Sequence, residues 1–308
     1  MSKLHIVTVA TSSEYYFNNL VESCRKNGRE LTVLGYGEKW QGFSWRFILM
    51  IEYLKKIDKN DIVCFIDGYD VLCTRNLNEL LNEFNKLKEK YKCKIIIGEQ
   101  KIINKNNIKE LFLNTIFKTY YGICNNLSLN AGTYIGSSND LLFALYQIYN
   151  LLPYNSSDDQ ILFTKYCQLH SKDIHIDSDN ELFLVISDPY NNVDKYIKFE
   201  NNKVLYNNKN PFFVHGAGET YLDNIIINLG YNYDYNNRVC DKLAKNFYKK
   251  IYFRIKNYTT YTKIFILLLL LLLLLLFIFI IYYIFFRKTN YNMKVNKVIF
   301  SKKTKIKK

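Results

Sequence analysis

Proline is nearly missing from this chain, with three in 308 residues, and glycine is sparse at 12. No stretch rich in Pro, Gly or Ser interrupts residues 1–240, so no linker divides them into separate domains. No internal repeat is visible. No G-x-G-x-x-G follows the first apolar run, and G-x-x-x-x-G-K-[ST] does not occur. A Rossmann dehydrogenase and a P-loop nucleotidase are therefore disfavoured. The seven cysteines are scattered and odd in number, with no C-x-x-C pair and no compact disulfide framework, so reduced thiols are expected. A basic surplus is also lacking where a nucleic-acid groove would need one. Residues 241–308 carry 16 of the 42 Lys and Arg and one acid, Asp241, which leaves residues 1–240 with 26 bases against 27 acids. A nucleic-acid partner is not expected. Leu4–Ala10 is too short and too polar for a secretory leader and reads as a first strand.

What is abundant lies at the far end. Ile264 to Phe286 is one apolar run, including unbroken leucine from Leu267 to Leu276. At about 1.5 Å per residue it predicts a helix of roughly 35 Å, enough to cross a bilayer. Lys263, Arg287 and Lys288 flank it, and Tyr282 and Tyr283 sit near its end as interfacial aromatics do. The expected organisation is a globular domain at 1–240, a basic juxtamembrane segment at 241–263, a transmembrane helix at 264–286 and a basic tail at 287–308. The expected location is a membrane, single-pass near the C-terminus, at the endoplasmic reticulum or facing the cytosol. Asn126, Asn155 and Asn257 begin glycosylation triplets, which arise by chance in so asparagine-rich a chain.

Residues 1–240 alternate strand-like and helix-like segments, the pattern of an α/β fold with a mostly parallel sheet. Strands are predicted at His5–Ala10, Leu31–Leu34, Ile62–Ile66, Lys94–Ile97, Thr133–Ile135, Ile174–Ile176 and Phe212–Val214. Helices are predicted at Glu14–Asn27 (capped by Ser12 or Ser13), Trp45–Lys56, Leu77–Tyr91 (capped by Asn76), Asp140–Leu151 and Asp158–Leu169.

The chemistry concentrates at strand ends. Ile62–Ile66 runs into Asp67-Gly68-Tyr69-Asp70. Two carboxylates at the C-terminal end of a buried strand repel unless a cation lies between them, and α/β folds bind ligands at that edge. The competing reading makes Asp67-Gly68 a turn and Asp70 a helix cap. Phe212-Phe213-Val214 ends in His215-Gly216-Ala217-Gly218, a second apolar strand with a polar terminus. Asp67, Asp70 and His215 form a mixed oxygen and nitrogen set that suits Mn²⁺ better than Ca²⁺, with Mg²⁺ as the other option. Asp158-Asp159-Gln160 opens a helix. Its acids complement the helix dipole, or one of them enters the site as a base or a clamp on a sugar hydroxyl. Asn130-Ala131-Gly132 either lets a sugar ring lie against the backbone or makes a turn.

In order along the chain, Thr8-Val9-Ala10-Thr11, Gly37-Glu38-Lys39-Trp40, Asp67-Gly68-Tyr69-Asp70-Val71, Asn130 to Gly136, Asp158-Asp159-Gln160 to Lys165, and His215 to Gly218 with Leu229-Gly230-Tyr231 appear at compatible spacing. Over residues 4–235 the chain resembles the glycosyltransferase domain of procollagen lysyl hydroxylases and related collagen glycosyltransferases. The resemblance implies a GT-A-type, Rossmann-like domain that uses a UDP-sugar and Mn²⁺. It implies Asp67, Asp70 and His215 as metal ligands. Thr8 and Tyr69 would contact the uridine, Trp40 would lie near the nucleotide, and Arg46 would stand where the family has a diphosphate-facing Lys. Asn130, Gly216 and Gly218 would line the donor site, and Asp158 and Asp159 would serve catalysis. The chain also departs from the family. Trp40 to Arg46 is shorter than the family's glycine-rich loop, Tyr221 replaces a phosphate-facing Lys, and Ser156 and Ser157 shorten the acidic run. These changes bear on donor affinity and identity more than on the metal.

The expected activity is transfer of galactose or glucose from UDP-galactose or UDP-glucose to a hydroxyl of a protein or glycan, such as the hydroxylysine or galactosyl-hydroxylysine of a collagen-like protein. The alternatives are an inactive module that binds a nucleotide-sugar or a partner at a membrane, and a membrane-tethered nucleotide hydrolase.

Overall fold

The computed structural model describes residues 2–103, 107–151, 158–188, 192–201, 203–218, 220–233 and 267–283. The chain divides into two compact units, Met1–Asn257 and Tyr258–Lys308. In the first, strands and helices alternate as β1 (Leu4–Val9), α1 (Phe17–Lys26), β2 (Leu31–Leu34), α2 (Phe43–Leu54), β3 (Ile62–Ile66) and β4 (Val71–Cys73). Next come α3 (Leu80–Tyr91), β5 (Ile95–Ile102), α4 (Asn107–Tyr121), β6 (Leu129–Ser137), α5 (Ser138–Asn150), α6 (Asp159–Leu169), β7 (Ile174–Asp177) and β8 (Phe183–Ser187). A small hairpin of β9 (Lys198–Glu200) and β10 (Lys203–Leu205) precedes β11 (Phe213–Gly216) and α7 (Asp223–Asn228).

The main sheet runs β2-β1-β3-β6-β5-β8-β11-β4, with β7 also paired to β5. It is mixed: most of its strands run parallel, as expected, and β4 and β6 run against them. β6 is antiparallel to both β3 and β5, and β4 is antiparallel to β11, while the remaining pairs are parallel. An apolar run reports burial but not direction, so β6, covered along almost its whole length, reads like its parallel neighbours. Helices cover both faces. Trp45, Phe47 and Met50 of α2 pack with Leu141, Leu145 and Phe163 of α5 and α6 on one side. Leu20, Leu80, Phe84 and Leu87 of α1 and α3 pack on the other. At about 25 cal/mol per Å² of apolar surface, such two-sided burial dominates the stability of the domain.

Two turns place the site. β3 and β4 are joined only by Asp67 to Asp70, yet β4 closes the far end of the strand order beside β11. The sheet therefore curls back on itself. Val71 lies opposite His215, and the Gly216 N–H donates to the Asp70 carbonyl at 2.9 Å. Asp70 caps no helix: a strand follows it. Gly68 lies close over β1, where an added Cβ would meet Thr8 Oγ1 and the Val9 carbonyl at 3.1 Å.

Helix starts differ from expectation. α1 begins at Phe17 with Tyr16 as its N-cap and no side-chain cap, so neither Ser12 nor Ser13 serves. α3 begins at Leu80, and Asn76 instead accepts from the Asn78 N–H in the turn before it. Cys124 and Cys167 form a disulfide, which corrects the reduced-thiol expectation. Cys24, Cys64, Cys73 and Cys93 are free and buried. The disulfide pairs the turn before β6 with α6, a tertiary contact that cysteine spacing does not encode.

In the second unit the described residues form a helical run over 267–283 with exposed side chains. Among the described residues no helix is long and apolar enough to cross a membrane. This corrects the expected transmembrane helix at 264–286 and the single-pass membrane location. The segments 241–263 and 287–308 lie outside the described residues.

Candidate active site

Apart from β4 and β6, the strands of the main sheet run in one direction, and their C-terminal ends form one edge. Asp67 follows β3, Asp70 precedes β4, and His215 lies in β11. His215 Nε2 is 3.2 Å from Asp70 Oδ1 and 3.8 Å from Asp67 Oδ2. One ligand atom from each residue lies within 4.8 Å of the others. The imidazole is almost wholly buried, while both carboxylates are partly open to solvent. Burial alone would push the His215 pKa down, but the charge of Asp70, its hydrogen bond and the charge of Asp67 outweigh that and leave it raised. Nδ1 is buried and has no partner among the described residues. Two carboxylates and an imidazole nitrogen, open on one side, fit a divalent cation of the Mn²⁺ or Mg²⁺ type.

Gly132 forms the floor beneath this cluster. A Cβ there would sit 2.3 Å from Asp67 Oδ2 and 2.7 Å from His215 Cε1. Its carbonyl accepts from the Asp67 N–H at 2.8 Å. It lies inside β6, so it neither makes a turn nor lies open to a sugar ring. A glycine inside a strand pattern is the sequence signal for such a close approach. Asn130 serves the same strand: its Oδ1 accepts from the Gly132 N–H at 2.9 Å, and its Nδ2 donates to Gln100 Oε1 at 2.7 Å. Asn130 is thus a buried brace, and Gln100, which the sequence did not single out, is its partner.

A second group stands beside the first. The Arg46 guanidinium, on the first turns of α2, pairs with both Asp67 and Asp159. Its side chain and that of Asp159 are about nine-tenths buried. Asp158 is the N-cap of α6 and accepts from the Gln160 N–H at 3.0 Å, while Asp159 opens the helix and faces inward. One guanidinium thus pairs with two of the carboxylates, Asp67 and Asp159, while Asp70 faces His215, and the surplus negative charge favours a bound cation.

The other expected residues are spread around this centre. The Tyr69 hydroxyl accepts from the Thr11 N–H at 2.8 Å and so ties the turn after β3 to the loop after β1. Thr8 is wholly buried beneath Gly68, its hydroxyl without a partner among the described residues, so it lies under the site rather than on its surface. Trp40 is 41% exposed on the loop before α2 and meets Phe43 and Trp45 edge-on. Gly216 has no room for a side chain, since a Cβ would lie 2.6 Å from the Thr220 carbonyl. Gly218 takes a φ of +63°. Hollows of about 470 and 250 Å³ open beside the starts of β7 and β5, at the opposite edge, and none of these residues lines either. Chemistry, not volume, marks the site.

A family model described as PLOD GT domain matches residues 1–240. A procollagen-lysine,2-oxoglutarate 5-dioxygenase of Drosophila melanogaster is 26% identical over 240 residues, covering 72% of this chain and 31% of the relative. A multifunctional procollagen lysine hydroxylase and glycosyltransferase of Caenorhabditis elegans is 24% identical over 254 residues, covering 74% of this chain and 33% of the relative. The chain thus spans about a third of the length of the curated relatives it matches. Among solved structures, a glycosyltransferase involved in glycosylation of the major capsid of PBCV-1 is similar at a TM-score of 0.42 and 13% identity, covering 70% of this chain and 93% of that one.

Proposed function

We propose, on the premise that this chain belongs to the PLOD GT domain family of glycosyltransferase domains, that residues 1–240 transfer a hexose from a UDP-sugar to a hydroxyl acceptor with the help of a divalent metal. One observation carries the metal-dependent part: ligand atoms of Asp67, Asp70 and His215 lie within 4.8 Å of one another at the ligand-binding edge of the sheet. These three residues would hold Mn²⁺ or Mg²⁺. A bound ion of this kind supplies Lewis-acid stabilisation of a diphosphate leaving group.

The chain's own residues divide the remaining work. Arg46 offers a fixed positive charge beside the metal ligands, suited to a diphosphate oxygen. A carboxylate held against a guanidinium accepts hydrogen bonds more readily than protons, so Asp159 is better suited to orient a sugar or acceptor hydroxyl than to strip it. Asp158 holds the first turn of α6 and thereby aims Asp159. The apolar wall of Phe43, Phe65 and Tyr134 lowers the local dielectric around these charges. Galactose or glucose is the donor sugar that family membership favours. A lysine-linked hydroxyl of a collagen-like protein is the acceptor suggested by the relatives' names.

Release of UDP from UDP-galactose and UDP-glucose, with Mn²⁺ and with chelator, tests the proposal. Metal-dependent release that disappears in Asp67→Ala is the expected result. Turnover that survives Asp67→Ala would exclude the metal role. A second reading rests on Tyr221, which stands where the resemblance expects a lysine: a module that binds a nucleotide-sugar without turning it over. It would show UDP-sugar binding but no release under any of these conditions.

A further inference from the structure

The loop between β1 and α1 holds a strained residue, and the residue after it reaches both arms of the metal cluster. Tyr15 has a φ of +56°, a left-handed conformation that a bulky side chain rarely adopts and that persists only where its surroundings enforce it. Its ring meets Tyr69 edge-on at 5.5 Å. Tyr16, the N-cap of α1, is buried. Its N–H donates to the Tyr69 carbonyl at 3.2 Å, inside the turn that carries Asp67 and Asp70. Its hydroxyl donates to Asp223 Oδ1 at the start of α7, 207 positions along the chain, and accepts from the Leu222 N–H at 3.3 Å. Burial, and then the hydrogen bond and charge of Asp223, push the Tyr16 pKa up, so the hydroxyl keeps its proton and donates. Asp223 is buried too. Its segment is the one that leaves His215: the Gly216 N–H reaches the Asp70 carbonyl, and Thr220 Oγ1 donates to the Ala217 carbonyl at 2.8 Å.

We infer that Tyr16 is a positioning residue for the metal site, and that its link from the Tyr69 carbonyl to Asp223 fixes the spacing between the carboxylate arm and the imidazole arm. The inference rests on the proposed function and deepens it. The pairing of β4 with β11 ends at Val71 opposite His215, so Asp70 lies just past the last pair. Beyond that point the two arms are free to splay unless something crosses from one to the other. Metal ligands hold their distances to within about 0.2 Å. Tyr16 crosses with its backbone on one arm and its hydroxyl on the other. It touches the metal site only through the turn and the loop, so it acts on the spacing of the ligands and not on their charge.

Titration of the full chain with Mn²⁺ by calorimetry, with the electron paramagnetic resonance spectrum of the bound ion, tests the inference. Tyr16→Phe removes one oxygen and should weaken Mn²⁺ binding by about tenfold. It should also broaden the spectrum, as the ligand spacing becomes uneven. Asp223→Leu should match it, and the double variant should be no weaker than either single one, because both changes break the same link. Asp223→Asn keeps an acceptor for the hydroxyl and should stay within about twofold of wild type. Gly136→Ala, destabilised elsewhere in the sheet, should leave Mn²⁺ affinity and the spectrum unchanged. Wild-type affinity in Tyr16→Phe, losses that add in the double variant, or an Asp223→Asn as weak as Asp223→Leu would each overturn the positioning role and leave the metal-dependent reading intact. If Tyr16→Phe does not fold, the comparison of Asp223→Asn with Asp223→Leu decides. Absence of Mn²⁺ binding by the wild type would overturn both.

Discussion

Half of the candidate site is built by strands and half by helix starts, and the two are held with very different firmness. Asp67, Asp70 and His215 sit on or next to β3, β4 and β11. There the pairing of Val71 with His215, the Gly216 to Asp70 hydrogen bond and the Asp67 to Gly132 hydrogen bond fix each position through the backbone. A slip of one residue would turn every side chain to the other face, so the arrangement is all or none. Arg46 and Asp159 instead hang from the first turns of α2 and α6. The first of these helices has no side-chain cap at all. Metal ligands tolerate little displacement, whereas groups that meet a flexible substrate can adapt. The division of construction matches the division of proposed roles.

The sharpest way to break this comparison is to remove a strand-borne ligand. Asp67→Ala or His215→Ala should weaken Mn²⁺ binding by on the order of 100-fold or more, read by titration calorimetry, with the far-ultraviolet circular dichroism spectrum unchanged. Metal and proton compete for the imidazole nitrogen. Because the His215 pKa is raised by Asp70 and Asp67 against the effect of burial, the protonated form persists to higher pH than for a free histidine. Mn²⁺ affinity should therefore fall as pH is lowered, and that pH dependence should flatten in His215→Asn. An undiminished Mn²⁺ affinity in Asp67→Ala would remove the strand half of the argument.

A smaller effect is expected from the floor. Gly132→Ala puts a methyl group into the space of the Asp67 carboxylate and the His215 ring, while Gly136→Ala in the same strand meets Ile95 and Leu141 side chains at 3.2 Å. Both should lose roughly 1–3 kcal/mol of stability through overpacking. Only Gly132→Ala should also weaken Mn²⁺ binding, by roughly tenfold if the carboxylate is displaced. Equal Mn²⁺ affinities in the two variants would show that Gly132 serves packing alone.

Those strand-borne residues are also the ones most legible in the sequence. Ile62–Ile66 is read to the residue, because an apolar run buried on both faces and ended by an acid has one reading. Phe213–Gly216 is read one residue off at its start and extends two residues further, through the histidine. β4 is hidden: Val71 to Cys73 becomes a strand only through pairing with β11, which is distant in the chain. β8, a run of Phe183 to Ser187, carries an ordinary strand signal and lies outside the strands expected from the sequence. α4, α7 and the β9–β10 hairpin likewise lie outside the expected elements. The direction of β6, the disulfide and the Arg46–Asp159 pair depend on which segments meet in space, and local periodicity holds no record of that. The floor role of Gly132 has a local sign, a glycine among strand residues, but its partner could be named only after folding.

The helix-start half should respond with the opposite sign. Arg46→Met removes a cation that competes for Asp67. Mn²⁺ should then bind about threefold more tightly, since a like charge beside the site is lost. The fold should lose about 3 kcal/mol, because Asp159 is left buried without its counter-ion. Chemical denaturation and calorimetry on the same preparation read both changes. Weaker Mn²⁺ binding in Arg46→Met would place Arg46 among the supports of the metal ligands and dissolve the contrast between the halves.

The smallest effect separates two neighbouring acids that sequence alone treats as a pair. Asp158 stands in extended backbone at the N-cap, and its carboxylate accepts from the Gln160 N–H. Asp159, one residue on, is turned by the helix into contact with Arg46. Replacing an N-cap acid by Ala typically removes about 1 kcal/mol, while Ser retains the cap. Asp158→Ala should therefore lower stability by about that amount and Asp158→Ser by little, with UDP release in Asp158→Ser within about twofold of wild type. Asp159→Asn keeps the shape but gives up the charge that faces the guanidinium. It should slow UDP release at saturating donor by about tenfold or more if the carboxylate orients a hydroxyl. The order of the two positions is the decisive reading. If Asp158→Ser, with its helix cap intact, slows release as much as Asp159→Asn does, then the outer acid meets substrate directly and the inward-facing pair with Arg46 has only a structural role.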